Sequence, residues 1–178
     1  MNHSNSGLAH GTNGAPQLTT ENSEAERIAH NNEADIAEQW TLKEELKRNN
    51  VKFNPADVLF VTRDKTGQIV WLETGNPIAG LKHILDGNGK TPGHAADFER
   101  AFGVKRDDLP AYLKTVIAHG EIVSDKTVKV GARDGYERVY YYEGKHVVVT
   151  AIGMNGFIVS AYPKRIKEES NANNQSHA

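Results

Sequence analysis

The chain contains no cysteine, which excludes disulfides, thiolate zinc sites and a cysteine nucleophile together. Aromatic residues are scarce, at 7% of 178 residues, and hydrophobic residues as a whole make up 38%. Both figures are low for a chain that is globular from end to end. No apolar run approaches the ~20 residues a membrane span requires. Met1 to Gln17 has neither a basic start nor an apolar run, so neither a signal peptide nor a membrane partner is expected. An excess of one charge is missing too: Lys and Arg against Asp and Glu number 4 against 8 in residues 1–50, 14 against 13 in 51–163, and 3 against 2 beyond. A general nucleic-acid binder carries a basic excess because its affinity comes from neutralised phosphates. The balance here counts against such a role.

What is present is enough for one domain, since most domains hold roughly 100 to 200 residues. Residues 1–32 are rich in Asn, Ser, Gly, Thr, His and Glu, with few apolar side chains to offset the entropy of ordering them. Glu33 to Arg48 predicts a short amphipathic helix anchored by Ile36, Trp40 and Leu42. Residues 1–50 therefore read as a tail or linker carrying a short helix near 33–48. Residues 51–163 read as the folded domain and 164–178 as a polar tail.

Within the domain, Val58–Thr62 and Gln68–Glu73 read as a hairpin around the turn Asp64-Lys65-Thr66-Gly67. Ile78 to Leu85 predicts a helix, followed by a glycine-rich loop at 86–93 that no regular element tolerates. His94 opens a helix with Phe98 and Phe102 on one face and Gly103 as its C-terminal cap. Asp107-Asp108-Leu109-Pro110 starts another, with the apolar stripe Leu109, Leu113, Val116 and Ile117, ended by Gly120. Four strands follow, Glu121–Val130, Tyr136–Tyr142, Lys145–Ile152 and Phe157–Tyr162. Tight turns at Glu143-Gly144 and Gly153–Gly156 make them antiparallel neighbours. The expected fold is α+β, with an N-terminal hairpin and helices packed on one face of an antiparallel β-meander.

Four histidines lie in the domain. His119 beside Gly120 suits a helix C-terminal cation, and His146 reads as a structural residue. His83 and His94 differ, because each sits at an element boundary beside the glycine-rich loop, where side chains face clefts. Two histidines are also metal-ligand material, but Asp97 is the only nearby third ligand, and no metal or other cofactor is expected. Lys90 and the loop amides suit a phosphate contact or a surface loop without function. Strand alternation places Ile158, Ser160 and Tyr162 on one face of the last strand.

Trp71-Leu72-Glu73, Gly80-Leu81-Lys82-His83-Ile84-Leu85, His94-Ala95-Ala96-Asp97-Phe98, Gly135-Tyr136-Glu137-Arg138-Val139-Tyr140 and Asn155 through Pro163 follow in order. This series resembles the phage and polymorphic-toxin branch of the barnase/EndoU/colicin/RelE-like (BECR) nuclease superfamily, over about residues 55–163. In that branch a shorter turn separates the two histidines; here Asp86 to Gly93 lengthens it.

The resemblance implies a metal-independent endoribonuclease toxin domain that cleaves RNA by 2′-OH attack. His83 and His94 form its acid/base pair, Arg138 and Ser160 complete the catalytic set, and Lys82, Lys90, Thr150 and Tyr162 contact substrate. It further implies RNA as substrate, a cognate immunity protein as partner and a monomer when free. The domain would be delivered as part of a larger secreted or injected protein and act in a target-cell cytoplasm. The competing readings are a non-catalytic phage or secretion-associated interaction module on the same fold, and a deoxyribonuclease. A deoxyribonuclease fits less well because no acidic metal cluster is evident.

Overall fold

The computed structural model describes residues 20–165; the polar segments 1–19 and 166–178 lie outside them. The first element is a helix, α1, Thr20–Arg48, of 29 residues. It is far longer than the short helix expected near 33–48. Ala, Glu, Gln and Arg supply its helix propensity where an apolar stripe is lacking, so no amphipathic spacing marks its first half. The chain divides after Ala37 into two compact units. In the first, the side chains from Glu24 to Ala34 are all exposed. The Arg27–Glu24 pair there, at 3.9 Å, adds little because both partners are solvated.

The second unit runs from Glu38. Leu42 and Leu46, one helical turn apart, are buried, while Ile36 and Trp40 are 68% and 66% exposed. Of the three expected anchors, only Leu42 serves. Leu42 and Leu46 pack on Val61, Ile69 and Trp71 of the hairpin strands β1, Val58–Arg63, and β2, Ile69–Glu73. Gln39 supports this docking by accepting the Val61 amide hydrogen at 3.2 Å. The end of α1 thus covers the hairpin on the face that a one-face helix layer leaves open.

The other face carries the main core. Helices α2, Leu81–Asp86, α3, Ala95–Phe102, and α4, Leu109–His119, bury Ile84, Phe98, Leu113 and Val116 against Phe60, Val70, Tyr140, Val149 and Ala161. Each such fully buried side chain contributes roughly 1.5–3 kcal/mol. The helix expected from Ile78 begins only at Leu81. Asn76 accepts the amide hydrogens of Ile78 and Ala79 at 2.8 and 3.2 Å, a side-chain-built turn that competes with helix.

The sheet runs in the order β1-β2-β6-β5-β4-β3, adding β3, Glu121–Val130, β4, Arg133–Tyr142, β5, Lys145–Ile152, and β6, Phe157–Lys164. Strands β3 to β6 form the expected antiparallel meander, and the hairpin joins it through a parallel contact, Trp71 with Phe157. The fold is α+β. Asp64, which follows β1 directly, reaches Arg138 and Tyr140 on β4, although β2, β6 and β5 lie between. In a flat sheet four strand steps of ~4.8 Å would hold them about 19 Å apart. The sheet therefore curls around α4, and Lys65 meeting Glu121 at the start of β3 closes the same gap.

One irregularity positions the site. Thr150 pairs with Ser160, but Ala151 pairs with Ile158, so Val159 is an extra residue on β6, a β-bulge. Ile158 and Ala161 consequently both face the helices, and strict alternation fails: Ile158 does not share a face with Ser160 and Tyr162. The freed Val159 carbonyl accepts the Gly80 amide hydrogen at 3.1 Å and so seats α2 beside β6. No helix among the described residues is long and apolar enough to cross a membrane.

Candidate functional site

The face of β6, β5 and β4 turned away from α2–α4 can be read from the register. Ala161, Val149 and Tyr140 belong to the helix-side core, so their neighbours along each strand point the other way. Three cross-strand rows result. Ser160, Thr150, Glu137 and Lys126 form the first; Tyr162, Val148, Val139 and Ser124 the second; Lys164, His146, Tyr141 and Glu121 the third. Directly opposed side chains on one face stand about 4.5–5.5 Å apart at Cβ, so the hydroxyls of Ser160 and Thr150 and the carboxylate of Glu137 form one polar strip.

His94 borders that face. It is the N-cap residue of α3, and its ring lies 5.3 Å from the Tyr162 ring, centroid to centroid. Its Nδ1 donates to Asp97 Oδ2 at 3.1 Å. A carboxylate only accepts, so the hydrogen sits on Nδ1 and Nε2 is left for chemistry. His83 has the same arrangement, with Nδ1–H donating to the Pro77 carbonyl at 2.7 Å. Both imidazoles thus present Nε2. Burial, and then the charge of Glu137, raises the Tyr162 phenol above its ordinary value, which keeps it a hydrogen-bond donor.

The long loop between the two histidines does not separate them. Gly87 and Pro92 pair as a β-bridge, and the His94 amide donates to the Ile84 carbonyl at 2.7 Å, one residue from His83. A Cβ on Gly93 would stand 2.0 Å from the Leu85 carbonyl oxygen, so only glycine allows this neck to close. Asn88 ties off the protruding tip through the amides of Lys90 and Thr91, at 3.0 and 2.8 Å. Lys90 is exposed there, and Lys82 is exposed on α2 beside His83. Asp86 at the neck is held by Arg106 through two bonds of 2.7 and 2.9 Å. That pairing lowers the Asp86 pKa, and the Lys82 charge adds to the effect.

Arg138 is not brought to the histidines. It pairs with Val149 and so points into the helix-side core, where its side chain is only 9% exposed. Arg138 Nη1 donates to the fully buried Asp64 at 2.7 Å. Nε lies 3.1 Å from Asp125 without hydrogen-bond alignment, and the guanidinium covers the Tyr136 ring at 4.0 Å. Two acids and an aromatic face occupy this cation, so it serves the core. Its neighbour Glu137 holds the surface position. The two-residue turn Glu143-Gly144 fixes Tyr142 opposite Lys145 and, counting back, Glu137 opposite Thr150; that count is available from the sequence and points to Glu137 rather than Arg138. Among the described residues no group of three His, Asp or Glu side chains is placed to hold a metal ion. The chain matches no protein-family model and no curated protein.

Proposed function

We propose that the chain is a metal-independent endoribonuclease whose substrate lies along the polar strip of β6, β5 and β4. The observation that carries this reading is the contact of His94 with Tyr162, which neighbours Ser160 along β6 beside the row of Ser160, Thr150 and Glu137. One side chain removes the proton of a ribose 2′-OH, and the resulting oxygen attacks the adjacent phosphorus. A second protonates the departing 5′ oxygen, leaving a 2′,3′-cyclic phosphate and a free 5′-OH. Imidazole suits both transfers because it titrates near neutrality. His94 Nε2 takes one role and His83 Nε2 the other, with Glu137 as the competing base. Hydroxyl donors from Tyr162, Ser160 and Thr150 stand in for Arg138 in meeting charge that develops on the phosphoryl oxygens, and the exposed Lys82 and Lys90 contact the substrate backbone.

The resemblance to nuclease toxins adds a biological setting to the proposal. The domain is then the effector piece of a larger delivered protein, acts in a target-cell cytoplasm and is neutralised by an immunity protein. Cleavage of RNA but not DNA, undiminished by EDTA, together with growth arrest when the chain is expressed alone in bacteria, is the expected result. A second reading, a non-catalytic interaction module on the same fold, is favoured by the withdrawal of Arg138 into the core. Folded protein that cuts neither polymer and leaves growth normal would decide for it.

A further inference from the structure

Beyond the polar strip, the third row of the same face leads into a groove of about 620 Å³ lined by Arg100, Phe102, Lys145, His146, Lys164 and Arg165, and by no Asp or Glu. Residues 51–165 carry 16 basic against 13 acidic side chains, a small excess, so a lining of four Lys and Arg without an acid is a local concentration of positive charge. It is assembled from three elements. Arg100 comes from α3 and Lys145 and His146 from the start of β5, while Lys164 ends β6 and Arg165 follows it. Tyr162 and Lys164 share a face two residues apart on one strand, about 7 Å along it. The groove is therefore continuous with the position of His94. Lys145 extends over the Phe102 ring, 5.7 Å from its centroid, which holds its ammonium at the groove rather than free in solvent.

We propose that this groove binds the phosphodiester backbone of single-stranded RNA beyond the cleavage point. The lining is cationic, although Arg100 also pairs with Asp97 at 3.7 Å, and it is complementary to a regular polyanion, whose binding scales with the phosphates neutralised. The inference rests on the endoribonuclease reading for the identity of the polymer, but its test does not depend on cleavage. A short RNA with every 2′-OH methylated cannot be cut, and its affinity can be followed by fluorescence anisotropy across a salt series.

The variant is Lys145→Met, Lys164→Gln and Arg165→Gln combined; the methionine keeps the apolar stem over Phe102 while removing the charge. Relative to the wild type, its affinity for the methylated RNA should fall at least about tenfold near 0.1 M salt. The slope of log K against log salt should fall by about 2, at ~0.7 for each phosphate no longer neutralised. Cleavage of a dinucleotide, too short to reach the groove, should be unchanged, with matching thermal unfolding confirming the fold. Affinity and salt slope equal to the wild type overturn the proposal, as does equal loss of activity on dinucleotide and long RNA. So does tighter binding of the wild type to an acidic peptide than to the methylated RNA, which assigns the groove to an acidic protein partner. Wild-type protein that binds the methylated RNA through these cations yet cuts no RNA removes the nuclease reading and leaves the groove standing.

Discussion

Arg138 Nη1 donates to Asp64 Oδ2 at 2.7 Å across a gap that the curl of the sheet alone closes, and the same carboxylate oxygen accepts the Tyr140 hydroxyl at 2.8 Å. Asp64 Oδ1 takes the Thr66 amide at 2.9 Å, so a side chain with no exposed surface is satisfied on both oxygens. Removing one partner of such a pair strands a buried charge. Arg138→Met or Asp64→Leu alone is expected to lose about 3–5 kcal/mol in urea unfolding, and the double variant to recover most of it. An Arg138→Met protein of unchanged stability but abolished RNA cleavage would return Arg138 to the active site.

Tyr136 and Tyr140 lie on the same face of β4 and are both buried, yet they differ in one respect. Tyr140 donates to Asp64, whereas the Tyr136 hydroxyl has no partner among the described residues. Tyr136→Phe should therefore be neutral or slightly stabilising, and Tyr140→Phe should cost about 1–3 kcal/mol. Burial, foremost, raises both phenols well above their ordinary value. A raised folded-state value means the folded protein resists deprotonation, so stability is complete below about pH 10 and is lost as pH rises beyond it. Unfolding midpoints measured from about pH 8 to 11 should fall at the alkaline end, and less steeply in either phenylalanine variant.

The neck of the long loop makes a sharp contrast between two changes. Gly93→Ala forces a methyl into the Leu85 carbonyl, and the backbone must part. A loss above about 2 kcal/mol and a fall in RNA cleavage are expected, because α2 and α3 carry the two histidines. Shortening the exposed tip at Asn88–Thr91 to Gly-Gly leaves the Gly87 and Pro92 bridge intact. Thermal unfolding should then move by no more than about two degrees, within the ~0.5 kcal/mol usual for surface changes. A tip deletion as damaging as Gly93→Ala would show that the loop itself builds the site.

How much of this was legible in the sequence depends on which signals are local. Turn residues such as Glu143-Gly144 and alternating apolar positions are local, and they placed β3, β4 and β5, the hairpin and the meander within a few residues. The Val159 bulge was not legible, because it is set by the seating of α2 on a carbonyl of β6, where Gly80 meets Val159 from a distant part of the chain. The first half of α1 was missed because it has no buried face to produce a period. At the site, Ser160, Thr150, Tyr162 and His94 fell together as their strand parity and element boundary required. Arg138 did not: its catalytic role came from the resemblance, and only the parity of β4 reveals that it faces Val149 and the core.

That parity sharpens the test of the chemistry. His83 and His94 present Nε2 from adjacent backbone positions at the neck, and Glu137 sits inside the strip with Thr150. If the histidines are the acid and base, His83→Ala and His94→Ala should each reduce RNA cleavage by at least ~10²-fold, mainly in kcat. The double variant should lose little more than the worse single one, since groups that act as a unit are strongly non-additive. Glu137→Gln should then cost less than about tenfold, and kcat/KM should be bell-shaped in pH, because one imidazole must be neutral while the other is protonated. Asp97→Asn should lower the rate without unfolding the protein, because it removes the carboxylate that holds the hydrogen on His94 Nδ1. The opposite pattern, with His83→Ala near full activity and Glu137→Gln down by ~10²-fold, transfers the base to Glu137 and leaves His94 as the acid. Near-full activity in His94→Ala removes the catalytic reading of this face altogether.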